Sequence, residues 1–515
     1  MADGSDVAPV AGEAARPFPP GEYPLVIVGS GPGGLQLSYC LGRLGVDHAV
    51  LSEDDAPGGM FRRWPLFQRL LSWTKPYAPA ERGTSAYERY DWNSLLGEQP
   101  EHRALQPEFM DGSSYFPSRP EMEANLVAFA SRTRLAVRYG CRWTATRRED
   151  SPAGERFVLE TTDGEYRAPV VIFAVGIAEP YIPSFPGSEL TAHYAETRTT
   201  DSYAGRRVFI LGKQNSGFEL ASGLLAWASR IYLSSPSPTK VSINTRSLVG
   251  VRARYVQPFE DHVLGGGVTV LDGAIRSVVR DDEGLVVTVS PTGGGELQIH
   301  VDDVIAATGF VCPLLDLETI GVATYGHSRL PAQTPFWEST TVPGIHFAGT
   351  IGQGATGLMK HGQPANSGAV HGARYNARVL ARYLAGRRFG RRPASSPIAA
   401  ADLVDFCLGE IVACPELWHQ KAYLARVVTL DPEDGIRDTG IAPLAHVLDE
   451  GGPDAIILTL EADGTGAIYP VVYLRRGGGR LEEHALDPDV LLDYRGEPYR
   501  RRLAEIVGQL TGVAS

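Results

Sequence analysis

The feature that most constrains the fold is a glycine-rich turn between an apolar run and a segment with helical periodicity. In LVIVGSGPGGLQLSYCLGRLG, residues 25–45, the glycines Gly29, Gly31 and Gly34 follow the pattern G-x-G-x-x-G. Such a turn lets the backbone approach a pyrophosphate, and the start of the next helix offers free N–H groups and a partial positive charge. A plain turn between a strand and a helix is the alternative. Because both flanking elements are readable here, the turn predicts a dinucleotide-binding parallel sheet.

A second segment repeats this plan. RRVFILGKQNSGFELASGLLAWASRIYL, residues 206–233, again runs from an apolar strand through a turn into a helix. Each segment continues through short alternating stretches with Asp-Gly turns, which predict a small antiparallel meander. Each then closes on an apolar strand, PVVIFAVG in the first and DDVIAATGF in the second. We therefore predict an α/β fold with two Rossmann-like dinucleotide-binding domains, each carrying a three-stranded antiparallel meander.

Proline-rich and basic linkers suggest the domain boundaries. The prediction assigns residues 1–20 to a disordered tail, 21–185 and 310–390 to the first nucleotide domain, 186–309 to the second, and 398–515 to a C-terminal α+β appendage. Within the appendage, AAADLVDFCLGEIV, ELWHQKAYLARVV and PYRRRLAEIVGQL predict helices, and AIILTLEADGTGAIYPVVYLRR predicts a hairpin. We expect this piece to serve packing or homo-oligomer formation, with substrate capping as the alternative.

Charge and cysteine usage narrow the class of protein. The formal net charge of −12 argues against a nucleic-acid partner. The five cysteines form no C-x-x-C pair, which argues against a disulfide scaffold, and no metal site is expected. Residues 1–20 lack the basic and apolar regions of a signal peptide, and the sequence has no run of 18 apolar residues. We expect a cytoplasmic protein without a membrane partner.

Taken as an ordered set over residues 23–386, these motifs resemble the class B flavin-dependent monooxygenases, which include the flavin-containing monooxygenases and the N-hydroxylases. RYDWNSLL, YFPSRPEM and VHGARYNARVL are similar to stretches of the FAD-dependent oxidoreductase domain-containing proteins of the endoplasmic reticulum. The resemblance implies FAD and NADPH as cofactors, with NADH possible, and O₂ and a small molecule as substrates. It also implies a flavin C4a-hydroperoxide that passes one oxygen atom to the substrate.

The resemblance implies that the first glycine turn wraps the FAD pyrophosphate. By strict spacing Ser52 takes the place of the acidic residue that binds the adenosine ribose, and the neighbouring Glu53 is the chemically sensible candidate. A solvated acidic turn at residues 53–55 is the alternative. The implied FAD-binding residues are Gly29, Ser30, Gly31, Pro32, Gly33, Gly34, Ser52, Glu53, Gly59, Trp64, Trp143, Gly176, Gly309 and Gly349.

The second turn, GKQNSG, corresponds to the NADPH turn of the family and implies a nucleotide site at Gly212, Lys213, Gln214, Asn215, Ser216 and Gly217. Gln214 replaces the middle glycine and puts a side chain where the backbone should approach phosphate. The arginine that the family uses for the 2′-phosphate is also missing. NADPH is expected, and NADH or a weakened site is the alternative.

Three residues are implied to be catalytic: Thr74, Lys75 and Asn215. Family members often place an asparagine near the flavin edge, where this chain has Trp73 or Thr74, followed by Lys75. A hydroxyl there could still donate a hydrogen bond to an oxygen. Asn215 belongs to the turn that would retain the nicotinamide nucleotide.

The type of oxygenation is predicted from the fingerprint residues that the sequence contains and those that it lacks. The region before the second unit has His193 and Tyr203 of the Baeyer–Villiger fingerprint, without its phenylalanine and glycine. We therefore expect N-hydroxylation of an amine or amino acid, with S-oxygenation or Baeyer–Villiger oxidation as alternatives. A flavin disulfide reductase is disfavoured because no closely spaced cysteine pair could pass electrons. A flavin-binding interaction protein without turnover remains an alternative, which Gln214 favours.

Overall fold

The computed structural model describes residues 16–64, 69–152, 154–245, 250–391, 395–477 and 479–511. Most of the predicted disordered tail, residues 1–15, lies outside the described residues.

The first unit is built on a four-stranded parallel sheet. Its strands lie in the order Ile345–Phe347, Val171–Phe173, Val26–Val28 and Ala49–Leu51. Every residue of these strands is buried, as expected for a parallel sheet covered on both faces. The helices Pro32–Arg43, Arg119–Arg132 and Val370–Phe389 pack on one face through a shared apolar core.

A second sheet covers the other face of that parallel sheet. It contains the strands Gly21–Glu22, Gly164–Ala168, Gly154–Thr161 and Trp143–Ser151, the last three forming the predicted antiparallel meander. Phe157, Leu159 and Tyr166 of this meander share a core with Val26 and Val28, whereas Ile27 points to the helical side. The alternation along one strand thus fixes which layer each side chain joins.

The second unit is a single seven-stranded sheet. Its order is Leu297–Val301, Gly284–Pro291, Val268–Asp281, Arg230–Ser235, Arg207–Leu211, Asp303–Ala306 and Ala192–His193. The long strand Val268–Asp281 pairs in parallel with Arg230–Ser235 through its first residues and antiparallel with Gly284–Pro291 through the rest. The predicted meander is therefore continuous with the nucleotide-binding strands. The helices of this unit are Asn215–Leu224, Ser242–Thr245 and Gln257–Leu264.

Short elements join the two units. Glu179–Pro180 pairs antiparallel with Phe310–Val311, where the chain leaves the first sheet and returns from the second. A hairpin of Thr324–Tyr325 and Leu330–Pro331 follows. The helices Ser85–Glu88 and Gln106–Phe109 lie in the long connection before the helix Arg119–Arg132. No helix among the described residues has the length and apolar character needed to cross a bilayer.

The C-terminal appendage is a six-stranded antiparallel sheet with helices. The strands lie in the order Ser396–Pro397, Gly435–Pro443, Leu424–Asp431, Asp454–Ala462, Ile468–Arg476 and Arg480–Ala485. The helices are Leu403–Ala413, Pro415–His419, Leu444–Asp449 and Glu497–Thr511. The predicted hairpin and two of the three predicted helices are confirmed. The helix predicted over ELWHQKAYLARVV is wrong in its second half, because Leu424–Asp431 is a central strand whose apolar residues pack on both faces of the sheet.

The appendage docks on the first unit through buried polar contacts. The Nε2 atom of His419 lies 2.9 Å from the carbonyl oxygen of Glu88, and Asn366 donates to the carbonyl oxygen of His419 at 2.6 Å. The indole of Trp337 donates to the hydroxyl of Tyr423 at 3.0 Å. Buried hydrogen-bonded groups define one relative placement of two surfaces. The appendage therefore packs within its own chain, and the predicted role in homo-oligomer formation stays a prediction.

Candidate nucleotide and flavin site

Protein packing accounts for two of the three glycines in the first turn. Gly29 has a φ of +113°, and a Cβ there would lie 2.5 Å from the carbonyl oxygen of Ala174. A Cβ at Gly34 would lie 2.0 Å from the carbonyl oxygen of Gly29. Gly31 has an extended backbone, and a Cβ there would meet nothing nearer than the Cα of Gly59 at 3.9 Å. Packing does not explain Gly31, whereas a ligand that approaches its backbone does.

The turn opens onto a cavity of about 360 Å³ at the carboxyl ends of the parallel strands. Ligands of open α/β sheets bind at this edge. Helix Pro32–Arg43 begins there, with the proline at its first position and its N–H groups directed to the cavity edge. The predicted residues that line the cavity are Gly29, Ser30, Gly31, Pro32, Gly33, Ser52, Glu53, Gly59, Trp64, Trp143, Gly176 and Gly349. Sequence positions more than 300 residues apart thus converge on one site.

Two of the predicted FAD-binding residues, Gly34 and Gly309, do not line the cavity. Gly34 packs beneath the turn, as described above. Gly309, with a φ of +84°, lies at the crossing between the two units, where its carbonyl oxygen is 2.9 Å from the Nε2 atom of His193. His193 is buried, and its Nδ1 atom accepts a hydrogen bond from the backbone of Ala195. Both His193 and Gly309 therefore have an evident structural role between the units.

Ser52 and Glu53 both line the cavity but differ in environment. Ser52 is buried and its hydroxyl lies 2.8 Å from the hydroxyl of Ser30 in the glycine turn. Glu53 is half exposed and pairs with Arg63 at 3.3 Å, and Asp54 also pairs with Arg63 at 2.7 Å. A ribose could reach the Ser52 hydroxyl from within the cavity and the Glu53 carboxylate from its rim. The assignment of the ribose contact to this pair stays a prediction.

Several polar atoms of the cavity wall fit a bound flavin nucleotide. The indole of Trp64 stacks on Phe310 at 5.3 Å, and its buried Nε1 atom has no hydrogen-bond partner among the described residues. Arg374 donates to the carbonyl oxygens of Ser94 and Asp91, while its buried Nε atom is unpartnered within the same described ranges. Buried donors are rarely left without an acceptor. With the open backbone at Gly31, these donors fit a cofactor that carries carbonyl and phosphate oxygens.

A buried polar cluster lies behind Arg374. The hydroxyl of Thr74 donates to the Oδ1 atom of Asp91 at 2.8 Å and accepts from the amide of Asn93 at 3.0 Å. The Oδ2 atom of Asp91 is buried and has no partner in the part of the chain that the structure describes. Thr74 does not line the cavity, and Lys75 is exposed to solvent. The structure thus brings the predicted Thr74 close to an asparagine that sequence position alone did not indicate.

An unpredicted imidazole lies beside this cluster. His371 follows Val370, which lines the cavity, and its ring stacks on Trp92 with centroids 4.2 Å apart. Both ring nitrogens are buried and unpartnered within the described residues. Burial and the nearby Arg374 guanidinium hold the pKa of His371 well below its ordinary value. His371 is therefore neutral, with one N–H group available as a donor.

The second glycine turn has the same backbone geometry as the first. Gly212 has a φ of +120°, and a Cβ there would lie 2.4 Å from the carbonyl oxygen of Ala307. A Cβ at Gly217 would lie 2.2 Å from the carbonyl oxygen of Gly212. Gln214 takes the position of Gly31, with the same extended backbone at the start of a helix, and its side chain is exposed. Glutamine is therefore compatible with the turn and changes only the face offered to a ligand.

The other residues of the second turn make contacts within the protein. Lys213 is buried, donates to the carbonyl oxygen of Leu271 at 2.7 Å and forms an ion pair with Asp272. Asn215 donates to the carbonyl oxygen of Gly250 at 3.2 Å, and its own oxygen accepts from the backbone of Arg252 at 3.0 Å. Lys213 thus anchors the turn and its ammonium is engaged, and Asn215 orders the loop that follows residue 250. Ser216 is half-buried at the helix start.

A buried carboxylate lies on the helix that follows this turn. Glu219 accepts hydrogen bonds from the hydroxyls of Tyr194 and Tyr255, the latter at 3.2 Å. Burial raises the pKa of Glu219 to about 7. Sequence reasoning missed this group, because helical periodicity at residues 215–224 gives no sign of a charged residue on the inner face.

The cavity wall also contains residues that the sequence analysis did not single out. They include Met60, Phe61, Arg63, Val370, Ala373 and Arg374. Arg63 lies in PGGMFRRWP, between the predicted Gly59 and Trp64, and Arg374 lies in the quoted motif VHGARYNARVL.

The part of the site that the structure describes contains no cysteine pair and no cluster of metal ligands. All five cysteines lie within the described residues, where each is buried and unpaired. Cys141 alone among them lines the cavity, and burial raises the pKa of its thiol. No group of three or more potential metal ligands occurs among the described residues.

The two glycine turns and the cavity define the class of two-nucleotide flavoprotein oxidoreductases. A family model described as pyridine nucleotide-disulphide oxidoreductase matches residues 26–349, which is more than half of the chain. The chain belongs to this family. The assignment confirms the predicted fold class and the predicted cofactors, FAD and NADPH.

Individual relatives agree with the assignment. The chain is 31% identical over 269 residues to FAD-dependent oxidoreductase domain-containing protein 2 of Mus musculus, a match that covers 50% of this chain and 39% of that protein. It is 26% identical over 203 residues to the indole-3-pyruvate monooxygenase YUCCA1 of Oryza sativa subsp. japonica, covering 39% and 44% of the two chains. The chain thus spans about two fifths of the length of these relatives.

One solved structure of the same fold is the bacillithiol disulfide reductase Bdr of Staphylococcus aureus. It aligns with a TM-score of 0.56 and 15% identity, covering 71% of this chain and 99% of that one. The aligned fraction leaves room for the appendage outside the shared fold.

Proposed function

We propose that this chain is an FAD- and NAD(P)H-dependent monooxygenase of class B that transfers one oxygen atom from O₂ to a small molecule. The observation that carries the proposal is the pair of glycine turns with matching backbone geometry, the first of which opens onto the cavity. Bound FAD would supply the chemistry of the reaction, which is the uptake of a hydride and the activation of O₂. The second turn, with Asn215 and Ser216, would hold the nicotinamide nucleotide.

The residues of the first site have distinct roles in this proposal. Gly31 and the helix start at Pro32 would bind the pyrophosphate, and Ser52 or Glu53 the ribose. Trp64, Arg374 and the cluster around Thr74 would orient the flavin and exclude water from it. The exposed Lys75 is assigned no direct contact with the reacting atoms.

The cysteines favour oxygen transfer over disulfide reduction. A reductase that passes electrons through its own thiols needs two of them within reach of the flavin, and only Cys141 lines this cavity. Its raised pKa keeps it a thiol at neutral pH and hence a poor nucleophile.

N-hydroxylation of an amine or amino acid is the preferred reaction, and Asp91 supports it. Its buried Oδ2 atom is unpartnered among the described residues, and its carbonyl oxygen accepts a hydrogen bond from Arg374, which lines the cavity although Asp91 does not. A carboxylate oxygen without a partner is suited to the ammonium group of a substrate. S-oxygenation and Baeyer–Villiger oxidation are the alternatives.

The test measures NADPH consumption, hydrogen peroxide and product in air, with the FAD-loaded chain and a panel of primary amines, amino acids and matched sulfides. We expect an amine to stimulate NADPH consumption and to yield a hydroxylamine in excess of peroxide. Peroxide equal to the NADPH consumed would indicate an oxidase. Absence of NADPH consumption would favour the interaction protein without turnover.

A matched pair of variants tests the role of Asp91. We expect Asp91→Asn to raise KM for the amine without changing NADPH consumption in its absence, because the amide keeps the Oδ1 contacts and removes the charge. Asp201→Asn, at an exposed position of the second unit, serves as the control. An unchanged KM in Asp91→Asn would remove the argument for amine over sulfide.

A further inference from the structure

A second cavity, of about 510 Å³, lies between the first unit and the appendage. Helix Pro32–Arg43, the middle of helix Val370–Phe389, the end of helix Leu403–Ala413 and the strand Leu424–Asp431 form its walls. It shares no lining residue with the flavin cavity. It exists only because the appendage docks on this side of the first unit.

Four guanidinium groups line this second cavity, and they differ in their partners. Arg378 pairs with Glu416, and Arg426 pairs with Glu410 at 2.6 Å. These two are compensated by buried or half-buried carboxylates.

The other two guanidinium groups lack such compensation. Among the described residues, Arg103 donates only to the carbonyl oxygens of Gly97 and Gly83, at 2.7 and 3.1 Å. Arg382 is half-buried and makes no hydrogen bond or ion pair with any described residue. Burial and the like charges of Arg378 and Arg426 lower the pKa of Arg382.

The remaining wall is part polar and part apolar. Ser85 and Glu98 form the polar part, and the Glu98 carboxylate pairs with Arg43 at 2.7 Å. Leu44, Leu96, Ala413 and Ile441 line the space, together with the ring of Tyr39. A cavity that combines unpaired guanidinium groups with an apolar wall fits an anion attached to a hydrocarbon, because the guanidinium groups bind carboxylate or phosphate oxygens and the wall covers the rest.

We propose that this cavity binds a small organic anion, a carboxylate or phosphate ester joined to an apolar group, through Arg382 and Arg103. The site is distinct from the proposed nucleotide and flavin sites and does not depend on the reaction catalysed there. In this proposal, the function of the appendage is to form one wall of a ligand-binding site.

The test is calorimetric titration of the full FAD-loaded chain, with NADP⁺ present and in a buffer free of phosphate. The probes are phenyl phosphate, benzoate, inorganic phosphate and uncharged phenol. We expect one equivalent of phenyl phosphate or benzoate to bind, and the stronger of the two identifies the anionic group. Phenol should bind at least about tenfold more weakly, because it lacks the charge-assisted hydrogen bonds.

Variants locate the binding in this cavity. Arg382→Gln and Arg103→Gln should each weaken binding at least about tenfold. Arg387→Gln, on the same helix but exposed, should bind as the parent chain does. An absence of binding by both organic anions, or unchanged binding in both Arg382→Gln and Arg103→Gln, would overturn the proposal. Because the two arginines lie on separate elements, a folding defect in one variant leaves the other as a test.

Discussion

Alanine substitutions of Gly34 and Gly31 should affect different properties. Gly34→Ala should destabilise the fold, whereas Gly31→Ala should weaken the binding of FAD. In Gly34→Ala the new Cβ would lie 2.0 Å from the carbonyl oxygen of Gly29, so the turn must shift. Overpacking of this kind costs about 1–3 kcal/mol of folding free energy. In Gly31→Ala the new Cβ lies 3.9 Å from its nearest neighbour, and the extended backbone accepts alanine without strain. The apoprotein of Gly31→Ala should therefore be as stable as the parent.

The affinity for FAD, unlike the stability of the fold, should be lowered by Gly31→Ala. The Cβ of Gly31→Ala enters the space through which the pyrophosphate must approach the backbone. A comparable overpacking cost of about 1–3 kcal/mol, now applied to binding, corresponds to a loss of about 5- to 150-fold in FAD affinity.

The assay is a pair of measurements on each variant: thermal unfolding of the apoprotein, and fluorescence titration of the apoprotein with FAD. Gly31→Ala should unfold at the parent temperature yet bind FAD weakly, whereas Gly34→Ala should unfold at a lower temperature. If Gly31→Ala binds FAD with parental affinity, the assignment of this turn to the pyrophosphate is refuted.

Three further predictions concern the second unit. Gln214→Gly should strengthen NADPH binding several-fold and leave FAD affinity unchanged, as measured by separate titrations with the two cofactors. Weaker NADPH binding would instead indicate that the glutamine amide contacts the nucleotide. Lys213→Met should lower the free energy of unfolding by about 1–3 kcal/mol, because the Asp272 pair is lost, while a large rise in KM for NADPH would show that the ammonium contacts the nucleotide after all. Glu219 has a pKa raised from 4.5 to about 7, so between these values the folded chain holds more protons than the unfolded one and stability falls as pH rises through this window. In Glu219→Gln that loss, at most about 3 kcal/mol, should disappear from unfolding curves recorded at pH values across the window, and an unchanged pH dependence would contradict the assignment.

The repeated strand–turn–helix plan made the architecture predictable from the sequence. Period-2 alternation located the meanders, and the packing contacts at Gly29, Gly34, Gly212 and Gly217 are those that the glycine spacing requires. The strand at Leu424–Asp431 was missed because ELWHQKAYLARVV has residues with good helical propensity, and pairing with two neighbouring strands overrides that propensity.

The polar interior of the site was less predictable. The contact of Asn93 with Thr74 and the burial of His371 depend on residues brought together by tertiary structure, which local pattern does not encode. Lys213 also makes contacts that its sequence position did not indicate. Its place in the second glycine turn implied a nucleotide site, and in the structure its ammonium contacts Asp272 and the carbonyl oxygen of Leu271. Its role toward a nucleotide stays a prediction.

The most direct test of the account is anaerobic mixing of the FAD-loaded chain with NADPH, followed by the visible absorbance of the flavin. We predict that NADPH rapidly bleaches the visible absorbance of the flavin. This bleaching should be faster than any loss of colour by flavin dissociation or photoreduction in a sample without NADPH. A flavin that keeps its colour with excess NADPH and with excess NADH would contradict the claim that the second turn delivers a reductant to the first.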